Sequence, residues 1–301
     1  MLCDAAAARD WLAVEAGLGR IADPAVHLSA FYDVSQAAQR SFLEEVFVAE
    51  PASAPAGALL ARRLVHDGWG IRTGSWARDV SQEQWKGFFE HLHRAEQILI
   101  DVTARYPEYT SAWIARLDTA RGLSLGQAEA RRRYMEIMKV VPHFYAAQSE
   151  MIQQLCPKWG GSYEAMHGFA VECTKQSPPG SVNGAVVAKA HIEHWLLERR
   201  DNRSEAVAYL KRPEVQQELA WAAGHSVLNP AARQGSGWVG AHCSFAMVFS
   251  LAENYPAAAM HFDALYTNGN LGTRSPWNYL GDAAAQFVTH RDRAFREGQH
   301  R

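Results

Sequence analysis

The sequence predicts an all-α protein, an α-α superhelix of stacked helical hairpins with a capping C-terminal helix. Strand signals are nearly absent, because Val and Ile do not alternate with polar residues and no Asn-Gly or Asp-Gly turn separates two apolar runs. Ala, Leu, Glu, Gln and Arg instead fill long segments in which apolar residues recur at spacings of three and four. Prolines that end helices recur at intervals of 35, 36 and 35 residues, at Pro107, Pro142, Pro178 and Pro213.

The N-terminal 75 residues have a helical composition, interrupted by a linker of small residues at 51–57. We place a soft boundary after them, so that a helical N-terminal section (1–75) precedes a continuous repeat region (76–301). The first helix of that region is predicted over 82–105, where an apolar stripe runs along one face. Ser81 can cap its N-terminus and Pro107 stops it.

The next segment, 110–142, predicts a hairpin with Trp113, Leu117 and Gly122 on its first helix. Small residues let two helices approach closely, and bulky ones fill the space to the next hairpin. This pattern and the interval of about 35 residues are similar to the tetratricopeptide (TPR) repeat, although four residues instead of three separate Trp113 from Leu117.

The whole chain resembles a group of bacterial TPR-like helical proteins. Three segments carry this resemblance: the run from Trp85 through Ala95, Pro107, Ala112-Trp113 and Arg121-Gly122, the Pro-Lys-Trp-Gly-Gly-Ser loop at 157–162, and the terminal Trp277-x-Tyr279-x-Gly281-Asp282. The resemblance implies a helical repeat fold. It implies no activity, because TPR-like scaffolds serve many purposes.

The later segments are less regular. Residues 143–177 predict a hairpin with a long turn, and 182–200 predict a single helix. Residues 238–266 predict another hairpin with Tyr255-Pro256 at its corner, and a helix to about Glu297 could cap the stack.

Composition excludes several classes of protein. The formal charge of -2 lacks the basic excess of nucleic-acid-binding proteins. The 4 cysteines form no CxxC pair and therefore signal neither a zinc site nor a disulfide framework. The N-terminus has no signal-peptide pattern, and no apolar stretch is long enough to span a membrane. We expect a cytoplasmic protein with no membrane partner.

The loop at 157–162 is the first candidate site. Its two glycines permit a positive φ and a close backbone approach, and Ser162 can cap the helix that follows. Lys158 and the helix N-terminus could hold an anion or a partner. The structural alternative, which we favour, is a stiff turn with Trp159 packed beneath neighbouring helices.

Histidine is frequent, with 13 residues, so metal sites must be considered. His191 and His194 lie three residues apart on a predicted helix and are the best local candidates. Two Glu-x-x-His pairs, one of them ending at His167, have the spacing of di-iron bundles, but a chain of this composition produces such pairs by chance. No metal or other cofactor is assigned. His242 adjoins Cys243, but neighbouring helical positions point about 100° apart, so a catalytic dyad is not predicted.

We expect a non-enzymatic binding or adaptor protein that presents a concave groove to a peptide or protein. The basic run 131–133 predicts a solvated face, with contact to an acidic partner as its alternative. The second functional hypothesis is an enzyme, or a small-molecule or metal-binding protein, with a pocket around His191, His194, Trp238 and His242. The third is a self-associating helical module.

Overall fold

The computed structural model describes residues 1–75 and 77–298, which form sixteen α-helices and no β-strand. The all-α prediction is therefore confirmed. The chain divides into two compact units, one formed by Met1–Gln154 and one that begins at Leu155. The boundary suggested by the sequence, at 75/76, lies inside the first of these units.

The first unit contains nine helices, and the last of them ends one residue beyond the unit, at Leu155. They are α1 (Leu2–Ala7), α2 (Trp11–Gly19), α3 (Pro24–Ala37), α4 (Arg40–Ala49), α5 (Ala54–Arg72), α6 (Gln82–Arg105), α7 (Thr110–Gly122), α8 (Gln127–Val140) and α9 (Tyr145–Leu155). Helix α5 packs against α6, and α7 packs against both α6 and α8. A Cβ atom on Gly68 of α5 would come within 2.7 Å of Leu92 on α6, so this glycine permits the close approach of the two helices.

The prediction of a linker at 51–57 is wrong for residues 54–57, because α5 already begins at Ala54. Ser53 caps this helix by accepting a hydrogen bond from the amide of Ala56 at 3.3 Å, and Pro55 lies in its first turn. Proline is favoured there because the first amides of a helix have no partner inside the helix. The small residues therefore start a helix, and only 51–53 form the turn.

A charged network lies inside the first unit. Arg133 is only 2 % exposed and donates hydrogen bonds to Glu96, which also pairs with Arg116. The solvated face predicted for the run 131–133 is thus wrong for Arg133. The ion pairs explain its burial, since a charge is tolerated inside a protein when it is paired.

The second unit contains seven helices. They are α10 (Tyr163–Gln176), α11 (Ala185–Asp201), α12 (Arg203–Leu210), α13 (Pro213–His225), α14 (Trp238–Leu251), α15 (Tyr255–Thr267) and α16 (Ala283–Gly298). Helix α11 packs against α10, α12, α13 and α14, and ten of its 17 residues are buried. Polar side chains on so buried a helix need partners inside the protein.

Among residues 1–75 and 77–298, no helix combines the length and the hydropathy that crossing a membrane requires.

Candidate functional site

Helix α11 presents His191, His194 and Glu198 along one face, because positions separated by three, four and seven residues lie on the same side of a helix. His191 is 3 % exposed, and both of its ring nitrogens have partners. Its Nδ1 lies 2.5 Å from the hydroxyl oxygen of Tyr209, and its Nε2 lies 3.0 Å from Oε1 of Glu218. Three helices, α11, α12 and α13, therefore meet at this imidazole.

His167 of α10 completes the group. Its Nε2 lies 3.0 Å from Nδ1 of His194 and 3.2 Å from the hydroxyl oxygen of Tyr209. Its Nδ1 is buried and has no hydrogen-bond partner in the structure. A continuous polar chain thus runs from Glu218 through His191, Tyr209 and His167 to His194. We call these five residues the histidine cluster.

Two tyrosines fix the ring of His194. Tyr163, one turn before His167 on α10, stacks on it with ring centroids 3.6 Å apart, and Tyr209 stacks at 3.8 Å. At the outer edge of the ring, Nε2 lies 3.6 Å from Oε1 of Glu198. Stacking and the nearby carboxylate together define the orientation of this imidazole.

Burial keeps the rings of His167 and His194 neutral. Desolvation lowers the pKa of His167 to about 3, with further contributions from the charges of His191 and His194. Desolvation, then His191 and Arg212, lowers the pKa of His194 to about 4. At neutral pH each of these two imidazoles therefore has one unprotonated nitrogen, as metal ligation requires.

Three side chains of the cluster could hold a metal ion. His167, His191 and Glu218 each offer one ligand atom, and these atoms lie within 4.8 Å of one another. Two imidazoles and one carboxylate form a donor set typical of zinc and other divalent transition metals.

The structure places the four residues of the predicted pocket in two groups. His191 and His194 belong to the histidine cluster. Trp238 and His242 lie on α14, with ring centroids 4.3 Å apart, and Nδ1 of His242 lies 3.1 Å from Nδ1 of His261 on α15. The Nε2 atoms of His242 and His261 are both buried and have no hydrogen-bond partner.

The loop at 157–162 forms a tight turn before α10. Residues Pro157–Trp159 form a 3-10 helix, and Gly160 adopts a φ of 84°. A Cβ atom on Gly161 would collide with the carbonyl oxygen of Leu155, so the predicted close approach is confirmed. Ser162 caps α10 by accepting a hydrogen bond from the amide of Ala165 at 3.0 Å, as the sequence predicts.

The charged group of this loop points into the second unit. Nζ of Lys158 lies 2.7 Å from Oε2 of Glu193, whose side chain is fully buried, and the Tyr279 hydroxyl donates to the same carboxylate at 3.1 Å. Trp159 is partly buried. Lys158, which the sequence assigned to an anion or a partner, is therefore held by an internal ion pair.

No family model, curated protein or solved structure matches the chain. The sequence pattern indicates His191 and His194, whereas the Glu-x-x-His spacing that ends at His167 is expected by chance. No sequence pattern indicates Tyr209 or Glu218. Neither of those two residues lies in a local pattern, since each comes from a different helix.

Proposed function

We propose that the protein binds a divalent transition-metal ion in its second unit, through His167, His191 and Glu218. The observation that carries this proposal is the convergence of these three ligand atoms within 4.8 Å of one another. It narrows the second hypothesis of the sequence analysis, a small-molecule or metal-binding pocket, to one set of residues.

The surroundings of these donors support the proposal. A ligating histidine normally binds the metal with one ring nitrogen and uses the other for a hydrogen bond that fixes its orientation. His191 fits this arrangement, because its Nε2 faces Glu218 and its Nδ1 faces the hydroxyl of Tyr209. The set contains imidazoles and a carboxylate but no thiolate, which suits Zn²⁺, Fe²⁺ or Co²⁺ more than Cu⁺.

The test is metal content. The chain is stripped with a chelator, dialysed against Zn²⁺ and analysed by elemental mass spectrometry beside the His191→Ala variant. We expect about one zinc per chain in the parent protein and a loss of at least tenfold in affinity in the variant. His66→Ala is the matched control, because His66 is an exposed histidine of the first unit. A parent protein that retains no zinc, or a His191→Ala variant that retains as much, would refute the proposal.

The binding or adaptor role on a TPR-like superhelix, capped by its C-terminal helix, is a second proposal. The successive pairs α5–α6, α7–α8 and α14–α15, which pack together within their units, support it. Exposed aromatic surface, such as Trp221 at 39 % exposure, could contact a peptide or protein in the cytoplasm. Capture of a partner that Trp221→Ala reduces, with folding unchanged, would favour this role.

A further inference from the structure

We infer that the proposed metal site keeps a coordination position open for a small exogenous monoanion, for which acetate is the probe. This inference rests on the proposed function, because it concerns the same ion. It identifies the site as one that binds a ligand, in contrast to a closed structural site, and it names the class of ligand as a small monoanion.

The first argument is the number of donors. Structural zinc sites have four protein ligands, whereas sites that bind substrate have three and leave the next position to water or a ligand. Within the described part of the chain, the group of candidate ligands at this place has three members, His167, His191 and Glu218. An ion held by them needs at least one more donor.

The second argument concerns the two nearest side chains that might close the site. The Tyr209 hydroxyl lies 2.5 Å from Nδ1 of His191 and 3.2 Å from Nε2 of His167, whereas Glu218 faces the other nitrogen of His191, Nε2. The hydroxyl therefore lies at the nitrogen of His191 that does not face Glu218. His194 is fixed between two stacked tyrosine rings and is not a member of the three-residue group.

Solvent access differs between two adjacent members of the cluster. The side chain of His191 is only 4 % exposed, whereas that of Glu218 is 32 % exposed. A small molecule can therefore approach from the side of Glu218, while His191 is shielded from solvent.

The net charge of the proposed site determines the charge of the ligand that it would bind. A divalent ion with one ligating carboxylate, Glu218, leaves a net charge of about +1 at the metal. Glu198, beside His194, and Arg212, beside Tyr209, carry opposite charges and leave this net charge unchanged. The Arg212 guanidinium lies 5.5 Å from the centroid of the Tyr209 ring and is solvent-exposed. A monoanion balances this arrangement, whereas a dianionic phosphate would leave an excess of negative charge.

The experiment uses the Co²⁺-loaded full chain, because the visible spectrum of Co²⁺ changes when its coordination changes. Sodium acetate is titrated at constant ionic strength, with sodium phosphate in a parallel arm, and cobalt content is measured before and after. We expect a saturable spectral change with acetate, and a weaker response to phosphate. Arg212→Gln should raise the acetate Kd about threefold, the size expected for an exposed charge. Arg199→Gln, which removes a positive charge that lies over Trp195, should leave the acetate Kd unchanged.

The outcomes separate this inference from the proposed function. A protein that holds one cobalt per chain but shows no spectral change with acetate has a closed site, which overturns the inference and leaves metal binding intact. A stronger response to phosphate than to acetate overturns the assignment of a monoanion. A protein that holds no cobalt overturns both proposals.

Discussion

Replacing Lys158 by methionine is expected to destabilise the second unit, although Lys158 is a partly exposed residue on a surface loop. The change removes the cation that lies 2.7 Å from Glu193 and leaves that carboxylate fully buried, with the Tyr279 hydroxyl as one remaining donor. Breaking a buried ion pair costs about 3 to 5 kcal/mol, because the surviving charge is desolvated without its counter-ion. The side chain of Lys158 is 28 % exposed, which favours the lower end, about 3 kcal/mol.

The assay is urea and thermal unfolding of the full chain. For a unit of this size, a loss of about 3 kcal/mol lowers Tm by roughly 6 to 12 °C. Lys175→Met is the matched control, because Lys175 is exposed at the end of α10 and its loss should change stability by less than about 0.5 kcal/mol. The double variant Lys158→Met/Glu193→Gln should be more stable than Lys158→Met, since it removes the stranded charge. Equal stability of Lys158→Met and Lys175→Met would refute the reasoning and return Lys158 to the role of a partner-binding residue.

Three further changes test other parts of the structure. Burial lowers the pKa of His242 to about 4. As the pH falls below 6.5, the unfolded chain therefore binds a proton at His242 that the folded chain does not bind. The free energy of unfolding falls by about 2 kcal/mol as the pH is lowered from 7 to 5. Phenylalanine at His242 and His261 together should make urea unfolding less dependent on pH over that window, and an unchanged pH dependence would contradict this. Gly122→Ala places a Cβ atom against the Leu92 side chain and should cost about 1 to 3 kcal/mol in urea unfolding, unlike Gly70→Ala, which has open space around it. Arg133→Met removes a fully buried cation from its carboxylates and should cost about 3 kcal/mol or more by the same measurement, so a variant as stable as the parent would show that the network is dispensable.

Local features of the chain were predicted well because short-range physics determines them. Helix α6 runs from Gln82 to Arg105, as expected from its apolar stripe. The Ser81 cap is present, and the Ser81 amide donates the reciprocal hydrogen bond to Oε1 of Gln84. The turn before α10 follows in the same way from two glycines and a capping serine. In each case the residues that decide the structure lie within a few positions of one another.

The candidate site could be predicted only in part, because its members are far apart in the sequence. His191 and His194 share a helix face, which spacing reveals. Tyr209 and Glu218 reach the same place from α12 and α13, and no local pattern records how those helices pack on α11. The burial of Arg133 was missed for a similar reason, since its partner Glu96 is 37 residues away.

The two faces of α11 link the stability of the second unit to its proposed site. At about 100° per residue, Glu193 points away from the face that carries His191 and Glu198. The Lys158–Glu193 ion pair and the Tyr279 hydroxyl hold the helix from that opposite side. A metal site needs its donor atoms placed to within about half an ångström. The contacts of Glu193 on one side of α11 therefore affect the binding of a metal ion on the other side. Lys158→Met should therefore weaken zinc binding even where the chain stays folded, although the ammonium of Lys158 pairs with Glu193, which is not one of the proposed ligands. If the folded variant binds zinc as tightly as the parent, the ion pair stabilises the fold alone and the position of the histidines is fixed by their own contacts.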